Sequence, residues 1–129
     1  MFKYIRTLNA CSGIVETINL PMPDQDSVPC EIGTICSIIN GKLSNAKAES
    51  GAKYLVLSNP NSKGEQCCLR IMSGMILEAE TFFNPTECKV GDGASFIVSP
   101  SGYVDSIDLG GSDCEIIRKN TASVTIIVH

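Results

Sequence analysis

The sequence has no tryptophan and one histidine, and its few phenylalanine and tyrosine residues make up 5% of the chain. A site that stacks sugar rings or unpaired bases normally needs several exposed aromatic rings. The single histidine, His129, is the last residue, and we expect it to belong to a frayed end. A Cys-His dyad built on His129 is the alternative. The scarcity of catalytic bases predicts a protein that is not an enzyme.

Concentrated positive charge is absent as well. Ten Lys and Arg residues stand against fourteen Asp and Glu residues, which gives a net charge of −4. The cations are scattered, for example as Lys3, Arg6, Lys42, Lys47, Arg118 and Lys119. Binding to nucleic-acid phosphates or to an anionic membrane needs clustered cations. The sequence therefore predicts no nucleic-acid partner and no membrane partner.

Long apolar runs are missing too. No segment approaches the roughly 20 apolar residues of a membrane-spanning helix, and the N-terminus lacks the apolar stretch of a signal peptide. We therefore expect a chain that is made and folded in a cytoplasm. The length of 129 residues fits one domain. Residues 1–29 would supply N-terminal strands and a proline-rich arm, and residues 30–129 the main β body.

Short apolar segments separated by Gly, Pro, Asn, Asp and Ser recur every roughly 8–12 residues, which predicts about ten strands. Asn40-Gly41 between two apolar runs predicts a type I′ hairpin. Met75–Phe83 contains good helix formers, but the missing cap and Pro85 favour a strand. The pattern is typical of an all-β fold, either an antiparallel sandwich or a small barrel with little helix. The predicted strands are Phe2–Thr7, Ile14–Leu20, Glu31–Ile39, Lys42–Ala46, Tyr54–Ser58, Gln66–Met72, Met75–Phe83, Phe96–Val98, Tyr103–Ile107, Cys114–Arg118 and Thr121–Val128.

The seven cysteines form no recognisable zinc motif. They are Cys11, Cys30, Cys36, Cys67, Cys68, Cys88 and Cys114. An odd number leaves at least one thiol unpaired in any intramolecular disulfide scheme. A zinc site usually has two short-spaced pairs, whereas neighbours such as Cys67 and Cys68 point to opposite faces of a strand. We interpret the cysteines as reduced, buried small hydrophobes, with one or two disulfides or a metal as alternatives.

Three groups of carboxylates are candidates for chemistry. Glu78 and Glu80 would share one face of a strand, which superficially suits acid–base work, but a solvated strand face explains them. Asp24 and Asp26 form a similar pair. Three aspartates around a glycine-rich loop could bind calcium, although their spacing does not match an EF-hand. These are Asp105, Asp108 and Asp113.

Glycines and aromatic residues give no stronger signal. Gly91-Asp-Gly93 and Gly110-Gly111 resemble phosphate loops only in composition, and strands rather than helices follow them, so turn geometry explains both. A small aromatic patch is an alternative to core packing for Tyr54, Tyr103, Phe82 and Phe83. The sequence thus assigns no catalytic, cofactor-binding or metal residues.

One order of segments resembles a known family. The segments are Gly33-Thr-Ile-Cys-Ser-Ile-Ile-Asn-Gly-Lys-Leu43, Lys53-Tyr-Leu-Val-Leu-Ser58, Arg70-Ile-Met-Ser-Gly-Met-Ile-Leu-Glu-Ala79, Lys89-Val-Gly-Asp92 and Ser101-Gly-Tyr-Val-Asp105. Together they span about residues 30–107. This run of short strands, with a late Val-Gly-Asp turn, resembles the head decoration proteins of tailed bacteriophages and related prophage virion proteins.

The resemblance implies a β-barrel or sandwich that sits on an assembled capsid and stabilises it without an active site. Its partner would be the major capsid protein or another virion protein, it would form a homo-oligomer, and it would reside in the virion. The polar segment Pro21–Pro29 and the terminal strands could add to a neighbour's sheet. Two alternatives are a β-sandwich binding module for a polysaccharide or cell-surface partner, and a cysteine enzyme or redox protein with an exposed, low-pKa thiol.

Overall fold

The structure, a computed structural model, describes residues 1–8, 17–23, 28–45 and 51–129. These residues form eleven strands and one short 3-10 turn, so the predicted all-β class is confirmed. The strands are β1 (Phe2–Thr7), β2 (Thr17–Pro21), β3 (Ile35–Ile39), β4 (Lys42–Ser44), β5 (Lys53–Val56), β6 (Glu65–Arg70), β7 (Met75–Thr81), β8 (Gly93–Val98), β9 (Val104–Leu109), β10 (Cys114–Lys119) and β11 (Val124–Val128), and the 3-10 turn is Pro85–Glu87.

Five of these strands close into a barrel, in the order β7-β11-β10-β8-β9 and back to β7. Antiparallel ladders join them, except where Glu80 pairs with Ser106 and Thr81 with Ile107 in a parallel bridge. That bridge completes the ring and leaves room on β7 for β1, which pairs with Met75–Ala79. Closure removes free strand edges, which are otherwise open to unwanted pairing.

The barrel core follows from the alternation of side chains along its strands. Val124, Ile126 and Val128 of β11 point inward and are buried. The same core contains the rings of Phe2 and Phe96, which meet edge to face with centroids 5.4 Å apart. An edge-to-face aromatic pair adds about 0.5–1.5 kcal/mol to the burial of its area. β1 is therefore packed into the barrel core as well as paired to β7.

Beyond the barrel the same sheet continues in the order β4-β3-β5-β6-β2, joined to β9 through Ile35 and Val104. Alternate residues of β3, β5 and β6 face opposite sides of this sheet. One row, Ile35, Leu55 and Leu69, packs onto the barrel core. The opposite row belongs to what we call the second core, which consists of Leu20, Cys30, Cys36, Leu43, Val56 and Cys68.

Each predicted strand has a counterpart in the described residues, but most boundaries differ by one to four residues, and two of these differences have a clear physical reason. β3 begins at Ile35 rather than Glu31, because Glu31–Gly33 turn: Gly33 has φ +88° and the Thr34 hydroxyl donates to the Glu31 carbonyl at 2.7 Å. β2 ends at Pro21 rather than at Leu20, with Pro21 opposite Glu65. Proline is tolerated there because β2 is an edge strand.

Local turn chemistry was read correctly at the hairpin between β3 and β4. Asn40 has φ +50° and Gly41 φ +76°, the positive values that a type I′ turn requires. Met75–Thr81 is a strand, as the missing cap predicted. Parts of three predicted features, namely residues 14–16, 24–27 and 46–50, lie outside the described residues.

Candidate functional site

The three aspartates suggested for calcium do not converge. Asp105 is buried and accepts hydrogen bonds from the hydroxyls of Ser101 and Ser106, at 3.0 and 3.2 Å. Asp108 accepts from the Leu109 amide, and Asp113 accepts from the Phe96 amide. Among the described residues, no group of three His, Cys, Asp or Glu side chains could hold a metal ion. Each carboxylate instead fixes a different stretch of backbone or side chain.

The other predicted carboxylates behave as surface groups. Glu78 accepts a hydrogen bond from the Ser123 hydroxyl, and exposed Glu80 pairs with the amino group of Met1 at 2.9 Å. Both lie on the outer face of β7, as expected for a solvated strand face. Asp24 and Asp26 lie outside the described residues.

The aromatic residues do not gather into a patch. Tyr54 packs against the second core and Phe83 against the barrel core, and Tyr103 is half-buried. Phe82 is 48% exposed. These four residues therefore do not form a joint surface on which a sugar ring or a base could stack.

The two glycine pairs meet each other rather than framing a ligand. The Gly110 amide donates to the Gly93 carbonyl at 3.0 Å, and a Cβ on Gly93 would lie 2.5 Å from the Gly111 carbonyl oxygen. The glycines allow close approach of two backbones, in addition to the turns that the sequence predicted.

His129 is not frayed, contrary to the sequence-based expectation. Its amide donates to the Asp113 carbonyl at 3.0 Å, and its Nε2 lies 3.4 Å from a carboxylate oxygen of Glu115. It lines a cleft of about 470 Å³ together with Lys53, Arg70 and Asp113. No hydrogen bond joins these four side chains to one another in the described part of the chain. The cleft offers charges of both signs to a polar ligand.

The most constrained polar group lies in the second core. Gln66 is fully buried, and its Oε1 accepts from the Cys30 amide at 3.0 Å. Its Nε2 donates to the Cys30 carbonyl at 2.8 Å and to the Ser58 carbonyl at 3.1 Å. The amide thus uses both of its donors and its acceptor on main-chain groups. This side chain holds the backbone of Cys30 in a fixed position.

Cys30 and Cys36 are both buried in the second core. In a continuous strand these residues would lie about 20 Å apart, since each residue adds about 3.3 Å. The Glu31–Gly33 turn folds the chain back and brings them together. The sequence analysis predicted a strand from Glu31 to Ile39, so it missed the turn that brings Cys30 and Cys36 into one core.

Polar neighbours distinguish the two sulfurs. The Cys36 Sγ donates to Asn45 Oδ1 at 3.5 Å, and the Thr34 hydroxyl lies 3.7 Å from the same sulfur. A hydrogen bond from the Cys30 thiol, reinforced by Thr34, lowers the pKa of Cys36 although burial opposes this. The same hydrogen bond, together with burial, raises the pKa of Cys30. Cys30 therefore holds its proton while Cys36 is the thiol that ionises first.

The remaining described cysteines have a simpler environment. Burial raises the pKa of both Cys68 and Cys114 to about 12. Six cysteines are free, and of these only Cys67 is partly exposed. The predicted burial is confirmed for five of these six, whereas Cys11 lies outside the described residues.

Comparison with known proteins gives no relative: no family profile, curated protein or solved structure matches this chain. Within the described ranges, no helix is long and apolar enough to cross a membrane.

Proposed function

We propose that this chain is a non-enzymatic structural protein of a virus, which attaches to an assembled capsid and stabilises it. The proposal combines the resemblance of residues 30–107 to head decoration proteins with one structural feature, the hairpin of β3 and β4. Its partner would be the major capsid protein or another virion protein. A homo-oligomer on the virion surface is the expected state.

The hairpin has the character of a contact element. Ile38 and Ile39 are 38% and 49% exposed, and as neighbours in a strand they face opposite sides. Apart from the neighbouring residues of the chain, no atom of the described residues lies within 4 Å of a Cβ built on Gly41, so this side of the turn is open. Aliphatic side chains of this hairpin lose water-exposed area when a partner covers them. Each Å² of apolar area removed from water contributes about 25 cal/mol of favourable transfer free energy.

The test is binding to empty shells assembled from the major capsid protein of the same virus. We expect saturable co-sedimentation at a fixed number of copies per shell, and a higher melting temperature of the shell. Ile39→Lys should weaken binding at least tenfold, because a charge would be buried at the contact. Val90→Lys is the matched control, since Val90 is 64% exposed but lies on the barrel. A stable monomer that never sediments with shells would overturn the proposal.

A second candidate function rests on the cleft. Its volume of about 470 Å³ is in the range of small-ligand sites, and Lys53 and Arg70 could pair with the acidic groups of a polysaccharide. Calorimetric titration with an acidic oligosaccharide should then give saturable heat that Arg70→Ala removes and Arg118→Ala retains. Equal heats for both variants would eliminate this candidate.

A further inference from the structure

We propose that Asn40 is a modification site, at which the side-chain amide is lost by deamidation through attack of the following main-chain nitrogen. This inference is independent of the proposed function. It rests on the Asn-Gly turn, by which we mean residues Asn40 and Gly41, on the freedom of the Asn40 side chain, and on the different surroundings of the other described asparagines.

The Asn-Gly turn is open to solvent and weakly constrained. Both residues are exposed, and they form the two-residue loop between the paired residues Ile39 and Lys42. Within the part of the chain that the structure describes, no hydrogen bond engages the Asn40 side chain or the Gly41 amide. The carboxamide that reacts and the nitrogen that attacks it are therefore both accessible.

The reaction needs only water as a co-reactant. The Gly41 amide nitrogen attacks the side-chain carbon Cγ of Asn40, and the bond from Cγ to Nδ2 breaks. Ammonia leaves with the proton of the Gly41 amide, and a five-membered succinimide ring remains. Water then opens the ring at either carbonyl carbon, which gives aspartate or, with the main chain passing through Cβ and Cγ, isoaspartate. In total, one asparagine and one water give one acid and one ammonia.

Ring closure requires a main-chain nitrogen to approach the preceding side chain, and two features favour this here. Gly41 has no side chain that would obstruct the approach. The ring also needs rotation about the main-chain bonds of Asn40, so the turn must open locally. Because β4 has only three residues, opening at this end of the hairpin breaks few hydrogen bonds.

Three other described asparagines are followed by residues that prevent or hinder this attack. Asn59 and Asn84 each precede a proline, which has no N–H to act as the nucleophile. Asn19 lies within β2 and precedes Leu20, whose side chain obstructs the approach. A suitable nitrogen is thus missing or shielded at all three.

The other three described asparagines are held by hydrogen bonds. Asn61 Oδ1 accepts from the amides of Lys63 and Glu65, at 2.9 and 3.0 Å. Asn120 Nδ2 donates to two hydroxyl groups, and Asn45 Oδ1 accepts from a thiol. None of these three precedes a glycine. Among the described asparagines, only Asn40 combines an unheld side chain with a following glycine.

Deamidation would change the hairpin in two ways. The aspartate form places a negative charge beside exposed Ile39. The isoaspartate form adds one carbon to the main chain of the loop. Because the twist of a two-residue loop matches that of its flanking strands, this insertion should weaken the pairing of β3 with β4.

Peptide mapping of the full native chain over time tests the proposal. The folded protein is kept in mildly alkaline buffer, and samples are alkylated and cleaved after glutamate, lysine and arginine. Cleavage releases residues 32–42, in which Asn40 is the only asparagine. It also releases residues 54–63, which contain Asn59 and Asn61 and serve as an internal control. A sample digested at once gives the background from the digestion itself.

We expect residues 32–42 to gain the mass difference between a hydroxyl and an amino group, and to separate into an aspartate and an isoaspartate form. Residues 54–63 should change at least about tenfold more slowly, which corresponds to about 1.4 kcal/mol in activation free energy. Equal rates in the two peptides would overturn the proposal. So would an unchanged mass of residues 32–42 in the folded chain under conditions that modify the urea-unfolded chain.

Two variants separate the contributions of structure and of the Asn-Gly pair. Asn40→Gln should abolish the mass gain in residues 32–42, because the longer side chain cannot close a five-membered ring. Ser62→Gly gives Asn61 a following glycine but leaves its two hydrogen bonds in place, so residues 54–63 should still change more slowly than residues 32–42. A mass gain that persists in Asn40→Gln would contradict the assignment to Asn40. The mapping of the unmodified chain decides the question even if a variant fails to fold.

Discussion

The side chain of Gln66 clamps the main chain of Cys30, accepting from its amide and donating to its carbonyl across 36 residues of sequence. Both residues are buried in or beside the second core. The irregular segment before β3 would otherwise bury unpaired backbone groups, which is costly. A single glutamine therefore allows this segment to pass through an apolar region.

Replacing Gln66 with leucine should destabilise the protein strongly. Leucine has a similar volume but leaves the Cys30 amide, the Cys30 carbonyl and the Ser58 carbonyl without this partner. Each buried unsatisfied group costs about 1–3 kcal/mol, so we expect a loss of at least about 2 kcal/mol in the free energy of unfolding. Urea denaturation followed by circular dichroism measures it.

Asn61→Ala provides the matched control. The Asn61 side chain also accepts two main-chain hydrogen bonds, from Lys63 and Glu65, but at an exposed turn where water can replace it. Its removal should cost about 1 kcal/mol or less. Equal losses for the two variants would show that burial of the Gln66 amide is unimportant.

Adding one methyl group at Gly93 should disrupt the approach of two backbones. A Cβ there would lie 2.5 Å from the Gly111 carbonyl oxygen, so a strand must move. Overpacking of this kind costs about 1–3 kcal/mol. The Gly110 amide, which donates to the Gly93 carbonyl, should exchange faster with deuterium in Gly93→Ala than in the unmodified chain.

Gly102→Ala separates this steric effect from backbone strain. Gly102 has φ +87° but open space around its Cβ position, so the variant should lose about 1–2 kcal/mol from conformational strain alone. Exchange at the Gly110 amide should be unchanged. Faster exchange there in Gly102→Ala would show that the effect of Gly93→Ala does not come from the close approach of Gly93 and Gly111.

The stability of the protein should fall at alkaline pH because of buried thiols. Burial raises the pKa of Cys68 and Cys114 from an ordinary 9.0 to about 12. Above pH 9 the unfolded chain releases these protons while the folded chain retains them, so unfolding becomes easier as pH rises towards 12. Each thiol should remove about 1.4 kcal/mol per pH unit in that window. Urea titrations in reducing buffer at several pH values measure the slope.

Cys114→Ala should make this slope shallower, since one of the two thiols is gone. Val124→Ala truncates another buried residue of the barrel core and should lower stability by a constant amount at every pH. An identical slope in Cys114→Ala and the unmodified chain would show that ionisation of Cys114 does not contribute to the loss of stability at alkaline pH.

Calcium should leave the melting temperature unchanged. Calcium needs six to eight converging oxygen ligands, and Asp105, Asp108 and Asp113 each bind a different neighbour in the fold. Differential scanning calorimetry in millimolar calcium and in EDTA should give the same transition. A calcium-dependent rise that Asp108→Asn abolishes would show that the loop rearranges to bind the ion.

Several features of the fold could be predicted from local sequence. The alternation of Val124, Ile126 and Val128 identified a strand with one buried face, because side chains alternate with a period of two. Asn40-Gly41 identified a type I′ hairpin, since both residues tolerate positive φ. These signals depend on residues close together in the chain, and the all-β class follows from their repetition.

Long-range pairing could not be predicted in the same way. No local pattern indicates that β7 pairs in parallel with β9 and so closes the barrel, or that β3, β5 and β6 divide their side chains between two cores. The meeting of Cys30 and Cys36 in one core depends on a turn that the apolar pattern predicted as a strand, and the clamp on Cys30 depends on Gln66, 36 residues away. Sequence by itself determined the strands and tight turns, because their causes are local. Tertiary structure alone decided which thiols and charges meet, because strand pairing brings together residues that are distant in the chain.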